Sequence, residues 1–255
     1  MTRTRKLPVF ETAAAAYLFA WYEFATIVRL SWFPLLLASL AGYFATRTLT
    51  VIATHLMSIA AWAVIAAALH RVILFGDRAR GTWLNLRFGK VEALFALPPL
   101  LGVLLLIVLD ALGVPLEWHF TGVPALIAGG VMAVVLFFSA RFSLIFPIAV
   151  MERRFDFAQA WALSEGNVLR MIAVWLIVTT PAYAVVSAME SLLLAVLKFV
   201  PGAPAADQFE GSLLQLFLLT YPTSIVIGAL CVGILSFSYK ALAGFPAEAV
   251  LKPKR

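Results

Sequence analysis

Six long apolar stretches run through this chain, from about Leu30 to Thr46, Leu56 to Phe75, Val91 to Leu112, Val123 to Val150, Met171 to Val200 and Leu213 to Leu242. A helix crosses the hydrocarbon of a bilayer, about 30 Å, with roughly 20 apolar residues at about 1.5 Å each. Runs of this length cannot be strands of a membrane barrel, which alternate polar and apolar in segments of about ten residues. Composition agrees: 63% of the residues are hydrophobic and 13% charged, where a soluble domain carries about 45–50% and about 25%. So few ionic groups cannot cover a water-facing surface, and lipid becomes the solvent for the remainder.

The segment ahead of the first stretch has a different pattern. From Pro8 to Arg29, residues Glu11, Thr12, Tyr22, Glu23, Thr26 and Arg29 fall in one sector about 120° wide on a helical wheel, opposite Ala, Leu, Phe and Trp. This predicts an amphipathic helix in the membrane interface, over about 8–29, ended near Ser31 and Pro34. A seventh span is the alternative, disfavoured because no loop separates Arg29 from the next apolar run. The expected fold is therefore all-α: a polytopic domain over 1–255 with six transmembrane helices and an N-terminal interfacial helix. No linker divides the chain, and no internal repeat is convincing.

Orientation comes from the basic residues. With the N-terminus inside, the inner segments collect Arg3, Arg5, Lys6, Arg29, Arg71, Arg78, Arg80, Arg87, Lys90, Arg141, Arg153, Arg154, Arg170, Lys240, Lys252, Lys254 and Arg255, seventeen of the nineteen Lys and Arg. Only Arg47 and Lys198 fall outside, while Glu117, Asp207, Glu210 and Asp110 fall at the outer face. The bias predicts an inner-membrane protein with both termini cytoplasmic. The net charge of +6 thus points to anionic headgroups rather than nucleic acid. The outer connectors are short, about Arg47–His55, Gly113–Gly122 and Pro201–Gly211. Glu11, Glu23 and Arg29 interrupt the apolar segment after the basic N-terminus, so it does not read as a cleavable signal.

The stretch from Arg141 to Arg170 carries the most chemical information. Arg141 lies about two turns inside the inner end of the fourth apolar stretch, Pro147 frees backbone carbonyls, and Glu152 closes the helix. A short helix begins at about Ala158, with Trp161 on it and Gly166-Asn167 as its C-cap. Arg141 and Glu152 share a face but stand about 16 Å apart on a straight helix. An arginine inside a span costs about 2.5–3.5 kcal/mol on insertion scales, so Arg141 must face protein or water. It is either a pin, held by the carbonyls freed at Pro147 or by an acid, or part of a lipid-phosphate or anion site with Arg71, Arg153 and Arg154.

The order Arg141, Pro147, Glu152, then Ala160-Trp161-x-Leu163-Ser164-x-Gly166-Asn167, resembles the membrane domain of glycerophosphodiester-phosphodiesterase-type proteins and related bacterial inner-membrane proteins. His70-Arg71 with Leu74-Phe75-Gly76-Asp77 is similar to the basic turn of proteobacterial members. This chain has Ala160 where many relatives have Ser, and Ser164 where Thr is common. The resemblance implies a multispan α-helical fold and no activity for this domain alone. The catalytic phosphodiesterase module is absent, with neither a soluble barrel nor a Glu/His metal cluster in the sequence.

Nothing else points to an enzyme. His55, His70 and His119 lack metal-ligand spacing, Cys231 is the single cysteine, and G-x-S-x-G, P-loop and H-E-x-x-H motifs are missing. Asp110 and Glu190 read as interface caps in preference to proton sites. Ser224, Gly228, Ala229 and Gly233 form a small-residue seam in the sixth stretch. The function expected is a non-enzymatic scaffold or lipid-interacting accessory of the bacterial envelope, without cofactor or metal. Its expected partners are anionic lipids, with a second copy or another membrane protein left open. The rival is a small transporter or lipid and anion carrier, using Arg141 and the spans broken by Pro98-Pro99, Pro181 and Pro222.

Overall fold

The computed structural model describes residues 5–45, 51–77, 84–111, 123–197, 199 and 221–245. Among them every regular element is an α-helix: α1 (Val9–Tyr22), α2 (Phe24–Ala45), α3 (Val51–Phe75), α4 (Lys90–Ala111), α5 (Val123–Phe142), α6 (Ile145–Glu152), α7 (Phe157–Ser164), α8 (Val168–Leu197) and α9 (Tyr221–Ala243). Lipid offers the backbone no hydrogen-bond partner, so long apolar runs close their bonds internally as helices. Among the described residues five segments are long and apolar enough to cross a membrane: Phe24–Ala41, Ala53–Phe75, Met132–Glu152, Val168–Leu193 and Tyr221–Ala243. The expected residues Arg3, Arg47, Arg78, Arg80, Glu117, His119, Lys198, Asp207, Glu210, Lys252, Lys254 and Arg255 lie outside the described residues, as do 113–122, 201–211 and the start of the sixth stretch.

Several boundaries differ from the sequence expectation. The helix expected over 8–29 ends at Tyr22; Glu23 makes the turn, and Phe24 to Arg29 open α2. Pro34, expected near a helix end, lies inside α2. α3 begins at Val51, ahead of Leu56. The fourth stretch is two helices, because the Pro147 ring cannot donate to the Ser143 carbonyl. That oxygen accepts instead from the Phe146 N–H at 3.4 Å, and the chain turns at Ser143-Leu144.

The face that α1 buries also differs. Thr12, Ala13, Ala15, Ala16 and Phe19 are buried, with α1 packed on α8 and α9, while Phe10 and Trp21 are 78% and 79% exposed. Thr12, placed by the wheel on the polar face, is buried, and its hydroxyl donates to the Pro8 carbonyl at 2.7 Å. Helices in lipid gain no hydrophobic drive from one another, so close approach of small residues decides their packing. The alanine run supplies that approach: a Cβ on Gly233 of α9 would stand 3.2 Å from the Ala16 Cβ.

α9 is the best-buried of the five long apolar segments, packed on α1, α3 and α8. A Cβ on Gly228 would come within 2.5 Å of Cη2 of Trp62 on α3, so only glycine admits that indole. Farther along the same pair, the ring of buried His70 sits 2.6 Å from the Ser236 hydroxyl. Two elements keep to the outside. α4 packs on α3 and α6, and α5 packs on α7 and α8.

Candidate functional site

The C-terminal end of α3, the start of α4 and the end of α6 enclose a cleft of about 420 Å³. The arrangement is built on Glu92, which is 2% exposed. Glu92 occupies the third position of α4, from which a carboxylate reaches back to the N–H ahead of the helix. Its Oε2 accepts from the Gly89 N–H at 2.9 Å, and its Oε1 accepts from Arg71 Nη2 at 2.6 Å. Both oxygens are thereby committed, and a carboxylate at this depth is tolerated because it is paired and hydrogen-bonded.

Around this pair stand Asp77, Arg87, Lys90 and Arg153, with Phe75, Val91, Val150 and Met151 as apolar walls. Arg153 reaches the cleft because α6 stops at Glu152 and Arg153 takes a left-handed conformation, φ 56°. No carboxylate pairs with Arg87, Lys90 or Arg153 among the described residues. The cleft also receives the positive end of the α4 dipole. Chemically it is a basic recess with an apolar floor, suited to an anion attached to something greasy.

The four arginines grouped by sequence reasoning separate into three places. Arg71 and Arg153 meet in the cleft; Arg141 and Arg154 do not line it. Arg154 lies between Glu152 and Asp156, at 3.1 and 3.4 Å. Arg141 stacks on α7, its guanidinium carbon 3.8 Å from the Trp161 ring centre and 5.4 Å from that of Phe137, with Nη1 3.5 Å from the Trp161 carbonyl. In place of the carbonyls freed by Pro147 or an acid, the guanidinium has an aromatic face and the Trp161 carbonyl. That placement has a physical logic, since guanidinium stacks on indole and loses little hydration doing so.

The rest of the motif holds the chain together. Asp156 caps α7 by accepting from the Gln159 N–H at 2.8 Å. The buried Ser164 hydroxyl donates to the Trp161 carbonyl, and Gly166 takes φ +69°, the left-handed turn that glycine permits. Asn167, expected only as part of that cap, grips the N-terminus. Its Oδ1 accepts from the Leu7 N–H at 2.8 Å, and its Nδ2 donates to the Arg5 and Glu165 carbonyls at 2.9 and 3.1 Å. Arg170 Nη1 donates to the Leu7 carbonyl at 3.0 Å, and the Leu7 side chain is fully buried.

The proline interruptions are closed in the same way. Pro34 takes the donor away from the Leu30 carbonyl, and Asn85 Nδ2 donates to it at 3.2 Å. Pro181 does this to Ile177, and the Tyr17 hydroxyl lies 3.5 Å from that oxygen and 2.8 Å from the Val178 oxygen. Pro98 and Pro99 sit on the exposed side of α4. Glu190 is exposed on α8, His55 is at the opposite end of α3 from His70, and no group of three metal-ligating side chains occurs among the described residues.

Glu92, Arg87 and Lys90 were missed as a site by sequence reasoning. The available signal was Gly89-x-x-Glu92 opening an apolar helix, one half of a capping box. No family model, curated protein or solved structure matches the chain.

Proposed function

We propose that this is a non-enzymatic protein of the bacterial inner membrane that holds an anionic lipid headgroup at its cytoplasmic face, as a scaffold or accessory of the envelope. The observation that carries the reading is the cleft itself, where Arg87, Lys90 and Arg153 line one recess beside apolar walls and none of the three pairs with a carboxylate among the described residues. Cations next to apolar helix ends meet anionic headgroups, each worth about 1 kcal/mol near the surface. The kinship with glycerophosphodiester-phosphodiesterase-type membrane domains rests on the Arg141–Asn167 stretch, and the topology has both termini inside.

In this reading the chain crosses six times, α4 joining the five long apolar segments. Its 22 residues span about 33 Å. α1, with 14 residues, covers about 21 Å, too short to cross, and serves as an interfacial segment leaning into the bundle. Against the carrier stands the closure of the α2 and α8 proline breaks by Asn85 and Tyr17, where a transporter leaves such backbone open to its cargo.

Mass spectrometry of lipids retained by the gently purified full chain tests the reading. Wild-type protein is expected to retain anionic phospholipid above its share of the membrane. The Lys90→Gln/Arg153→Gln double variant is expected to retain about tenfold less, and Arg141→Gln to retain the wild-type amount. A wild-type profile equal to the bulk membrane would sink the proposal, as would loss in the Arg141 variant alone.

A further inference from the structure

α1 precedes every other described helix, yet the groups that hold it come late in the chain. The Leu7 N–H and carbonyl are bonded to Asn167 and Arg170, and the Tyr17 hydroxyl donates to the Val178 carbonyl at 2.8 Å. Ala16 lies against Gly233, and the Phe19 ring meets that of Phe237 edge-on, 6.2 Å between centres. Arg5 stands beside Gly244, past the end of α9, where a Cβ would come within 2.9 Å of the guanidinium. The Asn167 and Tyr17 bonds alone span 160 and 161 residues. Residues 5–8 form an extended strap, and α1 continues from it into the seam between α8 and α9.

The unit is jointed at one end and self-contained. Glu23 alone separates α1 from α2, at φ −100° and ψ 14°, and a single residue at a helix end can absorb a change of direction. The backbone bonds of α1 are its own, and the Thr12 hydroxyl is satisfied by the Pro8 carbonyl, so the helix can move without breaking them. Its buried face is short, Ala13, Ala15 and Ala16, and leaves its seat without untangling long side chains. The remaining helices hold one another: α2 packs on α3, α3 on α4 and α9, and α8 on α9. A second apolar cluster, around Ala67, Val91, Phe95 and Ala149, includes no residue of α1.

We infer that residues 5–22 form a latch, which closes on α8 and α9 as one unit and opens as one unit about Glu23 while α2–α9 stay folded. Asn167 and Arg170 are its catch, since they grip backbone groups of the strap, and the fully buried Leu7 is its anchor. Opening gives up the bonds at Asn167, Arg170 and Tyr17 and the burial of Leu7 and the alanine face. It leaves the second cluster and the Arg71–Glu92 pair intact, so it costs less than global unfolding. The open helix has a place to go. It is too short to cross, follows Arg5 and Lys6, and carries Phe10 and Trp21, which suits the membrane interface.

Thiol labelling of the full chain in mild detergent tests it. A single cysteine is placed either in the latch, Ala13→Cys, or in the second cluster, Ala67→Cys, each in the Cys231→Ala background. Ala13 and Ala67 are 3% and 0% exposed, so N-ethylmaleimide reaches either position only through an opening. The latch thiol is expected to react about tenfold faster than the cluster thiol, or more. Asn167→Ala should speed the latch thiol by about another tenfold and leave the cluster thiol within about twofold of its former rate. Tyr17→Phe removes one hydroxyl and keeps the ring; it should act in the same direction by about threefold, and it serves as the test if Asn167→Ala does not fold. Equal labelling of the two positions overturns the latch. A catch variant that speeds both thiols alike, or neither, overturns it too.

Discussion

Arg71→Ala is expected to cost about 3 kcal/mol of stability, read as a lowered unfolding midpoint of the full chain in detergent. The size comes from the group that the substitution strands. Glu92 is 2% exposed and, among the described residues, keeps the Gly89 N–H as its hydrogen-bond partner once the guanidinium is gone. A carboxylate stripped of its counter-ion at that depth destabilises the start of α4. The figure sits at the low end of the range for buried pairs because the Arg71 side chain is itself 23% exposed. The double variant Arg71→Ala/Glu92→Gln separates this from a general packing loss. Its stranded charge is gone, so it should recover more than half of the loss. A double variant no better than Arg71→Ala would show that the ion pair is not what holds α3 to α4.

Asn167→Ala carries the second large effect, about 1–3 kcal/mol. One side chain satisfies the buried Leu7 N–H and the half-buried Arg5 carbonyl, and alanine strands the Leu7 N–H where Asn167 is 2% exposed. Each buried polar group left unmade costs about 1–3 kcal/mol. The expected consequence is local as well as global, because the segment ahead of α1 loses its tether. Trypsin cleavage after Lys6 should become at least about tenfold faster, while cleavage elsewhere in the folded chain stays near the wild-type rate. Asn167→Asp keeps the acceptor for the Leu7 N–H and loses the donors, so it should fall between alanine and wild type. Wild-type cleavage rates in Asn167→Ala would refute the tether.

These two sites also show what the sequence could and could not disclose. The apolar stretches mark helix positions because length and hydropathy are local properties, and Gly166 announces the turn after α7 because left-handed backbone favours glycine. Asn167 reaches a segment 160 residues away, and no local pattern encodes that pairing. Arg141 is recognisable from sequence as a residue that needs a partner. The natural partner to expect is a carbonyl freed by Pro147 or an acid, whereas α7 folds back and offers the Trp161 face together with the Trp161 carbonyl. The alanine run of α1 looks lipid-facing on a helical wheel, although small residues on one face are the signature of a helix pressed against another. Glu92 escapes attention because an acid at the start of a helix ordinarily faces solvent. Its burial depends on α3 arriving from outside the local sequence with Arg71.

The reading of the whole molecule depends on its basic end lying in the cytoplasm, inside a bilayer-spanning bundle. Arg87→Cys in a Cys231→Ala background tests this most directly, using a membrane-impermeant maleimide on spheroplasts and on inverted inner-membrane vesicles. The thiol should be labelled in the inverted vesicles, remain unlabelled in intact spheroplasts, and stay with the membrane after an alkaline wash. Labelling from the outside of intact spheroplasts, or release of the chain by the wash, would contradict the account.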